Sequence, residues 1–109
     1  MWNLIVHAPD SDPRPYELKS GKTSIGRAIT NDIVIEDPGA SRQHAEIWAD
    51  EPVRKISIVD LESTNGTYIN HSRISGECPL NANDMIRIGQ VILHLMSSSD
   101  DGEIRQAAY

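Results

Sequence analysis

Apolar residues in this chain recur at every second position in short runs, and Gly, Pro, Asn and Asp cluster between the runs. A period of two puts alternate side chains on opposite faces of an extended strand, so each run predicts a strand with one buried face. In Lys55-Ile56-Ser57-Ile58-Val59 the shared face holds Ile56 and Ile58; in Asp84-Met85-Ile86-Arg87-Ile88 it holds Ile86 and Ile88. His44-Ala45-Glu46-Ile47-Trp48-Ala49 turns Ala45, Ile47 and Ala49 one way and Glu46 the other. The same reading predicts strands over 2–6, 16–18, 23–25, 33–35, 67–69, 73–74 and 91–96. About ten short strands at regular spacing, with no 3.6-residue stripe of helical length, predict an all-β sandwich or barrel. Residues 10–15, with their prolines and aspartates, and 37–39 read as loops.

At 109 residues the chain has the size of one domain. Its 39% apolar and 24% charged residues keep it clear of the disordered regime. The domain is expected over 1–96, because 97–109 opens Ser-Ser-Ser-Asp-Asp-Gly and reads as a hydrophilic tail or the start of a linker. No apolar run approaches a signal-peptide core or the ~18 residues of a membrane span, so no membrane insertion is expected. The lone Cys78 cannot form an internal disulfide, which fits a cytoplasmic setting. Ten Lys and Arg against sixteen Asp and Glu give a net charge of −6, with no basic run longer than Arg54-Lys55. Nucleic acid needs a clustered basic face and is disfavoured as a partner. Any anionic ligand must be met by a local group of residues. His7, His44, His71 and His94 have no metal-ligand spacing, so neither metal nor cofactor is expected. Trp2 and Trp48 read as packing or edge residues.

Three polar segments interrupt strand-like flanks: Gly26-Arg27, Ser41-Arg42-Gln43-His44 and Ser63-Thr64-Asn65-Gly66-Thr67. Brought to one end of a sandwich, they would pool two guanidinium groups, several hydroxyls, a carboxamide and backbone N–H donors. That inventory suits a phosphate, since Arg presents a planar fork of donors to a doubly charged oxyanion. Ser41 and His44 do not read as a catalytic pair, because no orienting acid or oxyanion hole accompanies them. Asn65-Gly66 is also a strong signal for a tight turn with positive φ at both positions.

Four motifs follow one another along the chain: Gly26-Arg27; Asn31-Asp32-Ile33 followed by Ser41-Arg42-Gln43-His44-Ala45; Asp60 with Ser63-Thr64-Asn65-Gly66-Thr67-Tyr68-Ile69-Asn70; and Leu80 with Asp84, Ile86 and Ile88-Gly89. In this order and spacing they resemble those of the forkhead-associated (FHA) domain, a family that binds phosphothreonine peptides. The resemblance covers residues 1–96. It implies a β-sandwich of about eleven mostly antiparallel strands with the ligand loops at one end. It assigns Arg27 and the Ser41 hydroxyl to the phosphate, Thr64 to a contact at the rim, and Asn65 to the peptide main chain. Arg42 would touch the phosphate or face the ligand's flanking residues. Gly26, His44, Gly66 and Asn70 would support the site, with His44 tying loops together and Asn70 bracing the 63–67 loop from behind.

Three positions depart from the family pattern. Ala40 stands where a larger aliphatic residue is usual, and His71 and Asn83 stand where Gly is usual. Asn and His tolerate positive φ, so those turns are expected to survive, whereas Ala40 is expected to leave its loop less firmly packed. The implied function is a non-enzymatic module that binds a phosphothreonine protein made by an upstream Ser/Thr kinase, within a larger signalling protein. All four threonines, Thr23, Thr30, Thr64 and Thr67, lie in the motif-bearing region, so the phosphothreonine is expected from another chain, in trans, or from a part of a longer parent protein outside this sequence. The alternative is an interaction domain of the same fold acting through a phosphate-independent surface.

Overall fold

The computed structural model describes residues 2–50 and 55–97. These form eleven strands: β1 (Trp2–His7), β2 (Arg14–Leu18), β3 (Gly21–Gly26), β4 (Ile33–Val34), β5 (Ala45–Asp50), β6 (Lys55–Asp60), β7 (Tyr68–Ile69), β8 (Ser72–Arg73), β9 (Glu77–Leu80), β10 (Met85–Ile88) and β11 (Val91–Ser97). One sheet has six strands in the order β2-β1-β11-β10-β7-β8, and the other has five in the order β4-β3-β5-β6-β9. All pairings are antiparallel except β3 with β4. The core lies between the sheets. It takes the alternate residues predicted from the period of two, among them Ile25, Ala45, Ile47, Ile56, Ile58, Ile86, Ile88, Leu93 and Leu95.

β9, Glu77-Cys78-Pro79-Leu80, lies outside the strands expected from the pattern and carries a proline. It is an edge strand paired only with β6, where a missing N–H can face solvent. The same physics corrects the expected loop over 10–15. Arg14 and Pro15 belong to β2, which is an edge strand beside β1. Trp48 also departs from expectation: it lies on the outer face of β5, at the centre of its sheet, and is 46% exposed. Trp2 and Cys78 pack against the core. Of the tail expected over 97–109, Ser97 closes β11 and is buried, and the rest lies outside the described residues.

Register brings the polar loops to one level. Ile25 at the end of β3 pairs with Ala45 at the start of β5, and Ala45 pairs with Asp60 at the end of β6. The chain therefore leaves β3, enters β5 and leaves β6 at the same end of the sandwich. The loops over 27–32, 35–44 and 61–67 meet there.

Candidate functional site

The backbone sets the site before any side chain does. The N–H groups of Arg27 and Ala28 donate to the carbonyls of Ser41 and Arg42 at 2.9 and 3.2 Å, lacing the first loop to the second. Gly26 makes that approach possible, since a Cβ there would run into the Arg42 carbonyl oxygen and the Asn31 amide. Asn31 is buried and braces the same junction, its Nδ2 donating to the carbonyls of Ala28 at 2.9 Å and Arg42 at 2.8 Å.

Side chains then link all three loops. Arg27 Nε donates to the Ala40 carbonyl at 3.0 Å, Asn65 Nδ2 to the Gly39 carbonyl at 3.1 Å, and the Thr64 N–H to Ser41 Oγ at 3.2 Å. Arg27, Ser41, Thr64 and Asn65 thus stand around three consecutive residues, 39–41. Arg27, Thr64 and Asn65 are exposed and Ser41 is half-buried. Fixing Arg27 through Nε leaves its two terminal nitrogens without a protein partner among the described residues. Arg42 is exposed at the same rim, held in place by its backbone carbonyl.

His44 is fully buried behind this rim. Its Nδ1 accepts the Ser41 backbone N–H at 3.0 Å, so Nε2 carries the proton and donates to the Gly66 carbonyl at 3.0 Å. The imidazole meets the Ser41 backbone and not its hydroxyl. Burial pushes its pKa below the ordinary value, outweighing the hydrogen bond to Gly66 and the nearby Asp60 carboxylate. Asp60 holds the third loop: its carboxylate accepts the hydroxyls of Ser63 at 2.6 Å and Thr67 at 2.7 Å and the Ser63 N–H at 3.2 Å. Burial alone would raise its pKa, but those bonds, with His44 adding, hold the carboxyl below its usual value.

Two expectations about the third loop need correction. Asn65-Gly66 is not a turn with two positive φ angles: Gly66 has φ 91°, while the non-glycine residues of positive φ in this loop comprise Glu62 alone. The tight turn with two positive φ angles falls at Asn70 (49°) and His71 (79°), joining β7 and β8. Asn70 accordingly braces β10, donating to Asp84 Oδ1 at 2.9 Å and accepting the Met85 N–H at 3.0 Å, rather than the 63–67 loop. Asn83 keeps its turn with φ 74°. Ala40 is 3% exposed and packs in the core, so its loop is firmly seated.

The FHA domain family model matches residues 23–89, more than half of the chain and all three loops. The chain belongs to the FHA domain family. The transcriptional regulatory protein EmbR of Mycobacterium tuberculosis is 43% identical over 75 residues, covering 69% of this chain and 19% of EmbR. This FHA domain therefore spans about a fifth of the length of that relative. The FHA domain of the Mycobacterium tuberculosis protein FhaA, solved in complex with the intracellular domain of another protein, superposes with a TM-score of 0.78 at 33% identity. That match covers 87% of this chain and 99% of the FhaA domain. A structure from work on phosphothreonine-dependent FHA domain interactions superposes with a TM-score of 0.77 at 32% identity, covering 87% of this chain and 96% of that one.

Sequence reasoning quoted Asp60 and Asn31 within motifs but did not give them their parts as hubs. Both are short polar residues beside a strand, and nothing in their type shows how many neighbours they satisfy. It also passed over Arg73, whose guanidinium stem lies against the Gly66 backbone.

Proposed function

We propose that this FHA domain is a phosphothreonine-dependent peptide-binding module, without catalysis of its own, acting in the cytoplasm downstream of a Ser/Thr kinase. In this reading the free guanidinium nitrogens of Arg27 and the Ser41 hydroxyl take the phosphate. Thr64 contacts it at the rim, Asn65 holds the peptide main chain, and Arg42 reaches the phosphate or its flank. The observation that carries the reading is the hydrogen-bonded rim of residues 27, 39–41, 64 and 65. It holds Arg27 by Nε while leaving donors available to a dianion. The family assignment and the likeness to domains described as phosphothreonine-dependent support the ligand class. The phosphothreonine comes in trans, from a partner protein.

Isothermal calorimetry with matched phosphorylated and unmodified threonine peptides tests this. Binding is expected for the phosphorylated peptide alone. Arg27→Ala should weaken it by about ten- to a hundredfold, the loss of charge-assisted bonds worth about 1.5–3 kcal/mol, with the melting temperature little changed. Equal affinity for the two peptides would refute the reading in favour of a phosphate-independent surface.

A further inference from the structure

The end of the sandwich that carries the proposed phosphate site holds two more arginines that the site does not use. On the outer face of the six-stranded sheet, Arg73 stands opposite Tyr68, and Tyr68 stands opposite Arg87. The alternate residues Ile69 and Ile86 are buried, so this row faces solvent. The Arg87 guanidinium lies over the Tyr68 ring at 4.3 Å from its centroid and donates to the Gly89 carbonyl at 3.0 Å. Arg73 lies against Gly66: a Cβ at Gly66 would meet its Nε at 2.6 Å and its Cζ at 2.9 Å.

Arg87 lies across Tyr68 from Arg73, and Arg73 is placed against the backbone that follows Asn65. Arg73 touches the residue after it. Arg87 is bonded to Gly89, whose Cα lies 3.2 Å from where a Gly39 Cβ would be, and Gly39 accepts the Asn65 carboxamide. Following the contacts, the order is Arg27, Ala40, Gly39, Asn65, Gly66, Arg73, so Asn65 stands between Arg27 and Arg73, and Arg87 joins the path at Gly39 through Gly89. Among the described residues the one ion pair is Lys22 with Glu46, so neither Arg73 nor Arg87 meets a carboxylate. The acids of the adjoining turns bond to backbone and amide groups. Asp37 accepts the N–H groups of Gly39 and Gln90, and Asp84 accepts those of Asn70 and Asn81. In a chain of net charge −6, two exposed arginines held in place by backbone and ring contacts make no ion pair among the described residues.

We propose that Arg73 and Arg87 form a second anion subsite that binds an acidic side chain, aspartate or glutamate, flanking the phosphothreonine in the same peptide. The proposal rests on the phosphothreonine reading above and names the substrate class of that site: phosphothreonine with a nearby carboxylate. A planar guanidinium matches a carboxylate in two parallel bonds, and prior placement of both groups lowers the ordering cost of making them.

Fluorescence anisotropy on phosphothreonine peptides carrying Glu or Ala at each flanking position in turn provides the test. Glu at one position is expected to tighten binding about five- to tenfold over Ala. Arg73→Gln combined with Arg87→Gln should abolish that gain while the preference for phosphorylated over unmodified peptide persists. Arg73→Glu should reverse it, so that Lys outperforms Glu at the same position, and Arg73→Lys should retain it; melting curves confirm that each variant folds. A gain that survives the double substitution, or no gain at any position, overturns the subsite and leaves the phosphate site standing. If no peptide distinguishes phosphorylated from unmodified threonine, the phosphothreonine reading has failed and the subsite falls with it.

Discussion

Gly26 shows how one residue type decides whether the rim can form. Its Cα faces the backbone carbonyl of Arg42 and the Asn31 amide, neither of which can swing aside as the tip of a long side chain would. Gly26→Ala is expected to lower stability by about 1–3 kcal/mol, as overpacking does, and to weaken phosphopeptide binding by parting the first two loops. Chemical denaturation and anisotropy check the two effects, and a variant with unchanged stability would contradict the packing described. That Arg27, Ser41, Thr64 and Asn65 are candidates was legible in the sequence because their chemistry is concentrated in short polar runs between strands, and the structure brings the four to one rim. Asn70 was not: its side chain reaches Asp84 and Met85, and a contact across fourteen or fifteen residues is invisible without the register of β7 on β10.

At the scale of elements, the three loops are held by two titrating groups beneath them. The neutral His44 ring binds the second loop at Ser41 and the third at Gly66. In the unfolded chain His44 takes a proton at its ordinary value of 6.5, whereas in the fold its pKa is lower. Its contribution is fully present above 6.5 and is lost as pH falls through the lowered native value, where a protonated Nδ1 can no longer accept the Ser41 N–H. Asp60 follows at lower pH. Its native pKa lies below the ordinary 3.8, so its contribution is present above that value and is lost as pH falls through the depressed one. Stability and phosphopeptide affinity are both expected to decline from about pH 6.5 downward; the slope tied to His44 should disappear in His44→Gln, as denaturation across a pH series would reveal. Asp60→Ala, which strips the partners from the hydroxyls of Ser63 and Thr67, should cost about 2–3 kcal/mol at neutral pH. The long alternating strands β1, β5, β6 and β11 were readable from the period of two. The start of β2 was read as loop because of its prolines, while an edge strand needs N–H donors on one side only, and β9 was missed because its four residues show no period-two run.

For the whole molecule, register converts a linear pattern into a site. Ile25, Ala45 and Asp60 sit side by side across three strands, so motifs spread over 26–67 end on one rim. A chain of net charge −6 does not attract an anion by its overall field, so the proposed site draws on a few arginines at that rim that form no ion pair among the described residues. An all-β fold of short strands could be read from spacing and residue type, and the family resemblance made it a sandwich with its ligand loops at one end. The path of Arg73 over Gly66 could not, because it depends on the pairing of two-residue strands. The most direct measurement is an amide-shift titration by nuclear magnetic resonance with a phosphothreonine peptide. The account predicts that the amides of Arg27, Ser41, Thr64 and Asn65 move together and saturate at one equivalent, while those around Trp48 stay still. Shifts centred on the outer face of β5, with the amides of the rim unmoved, would contradict it.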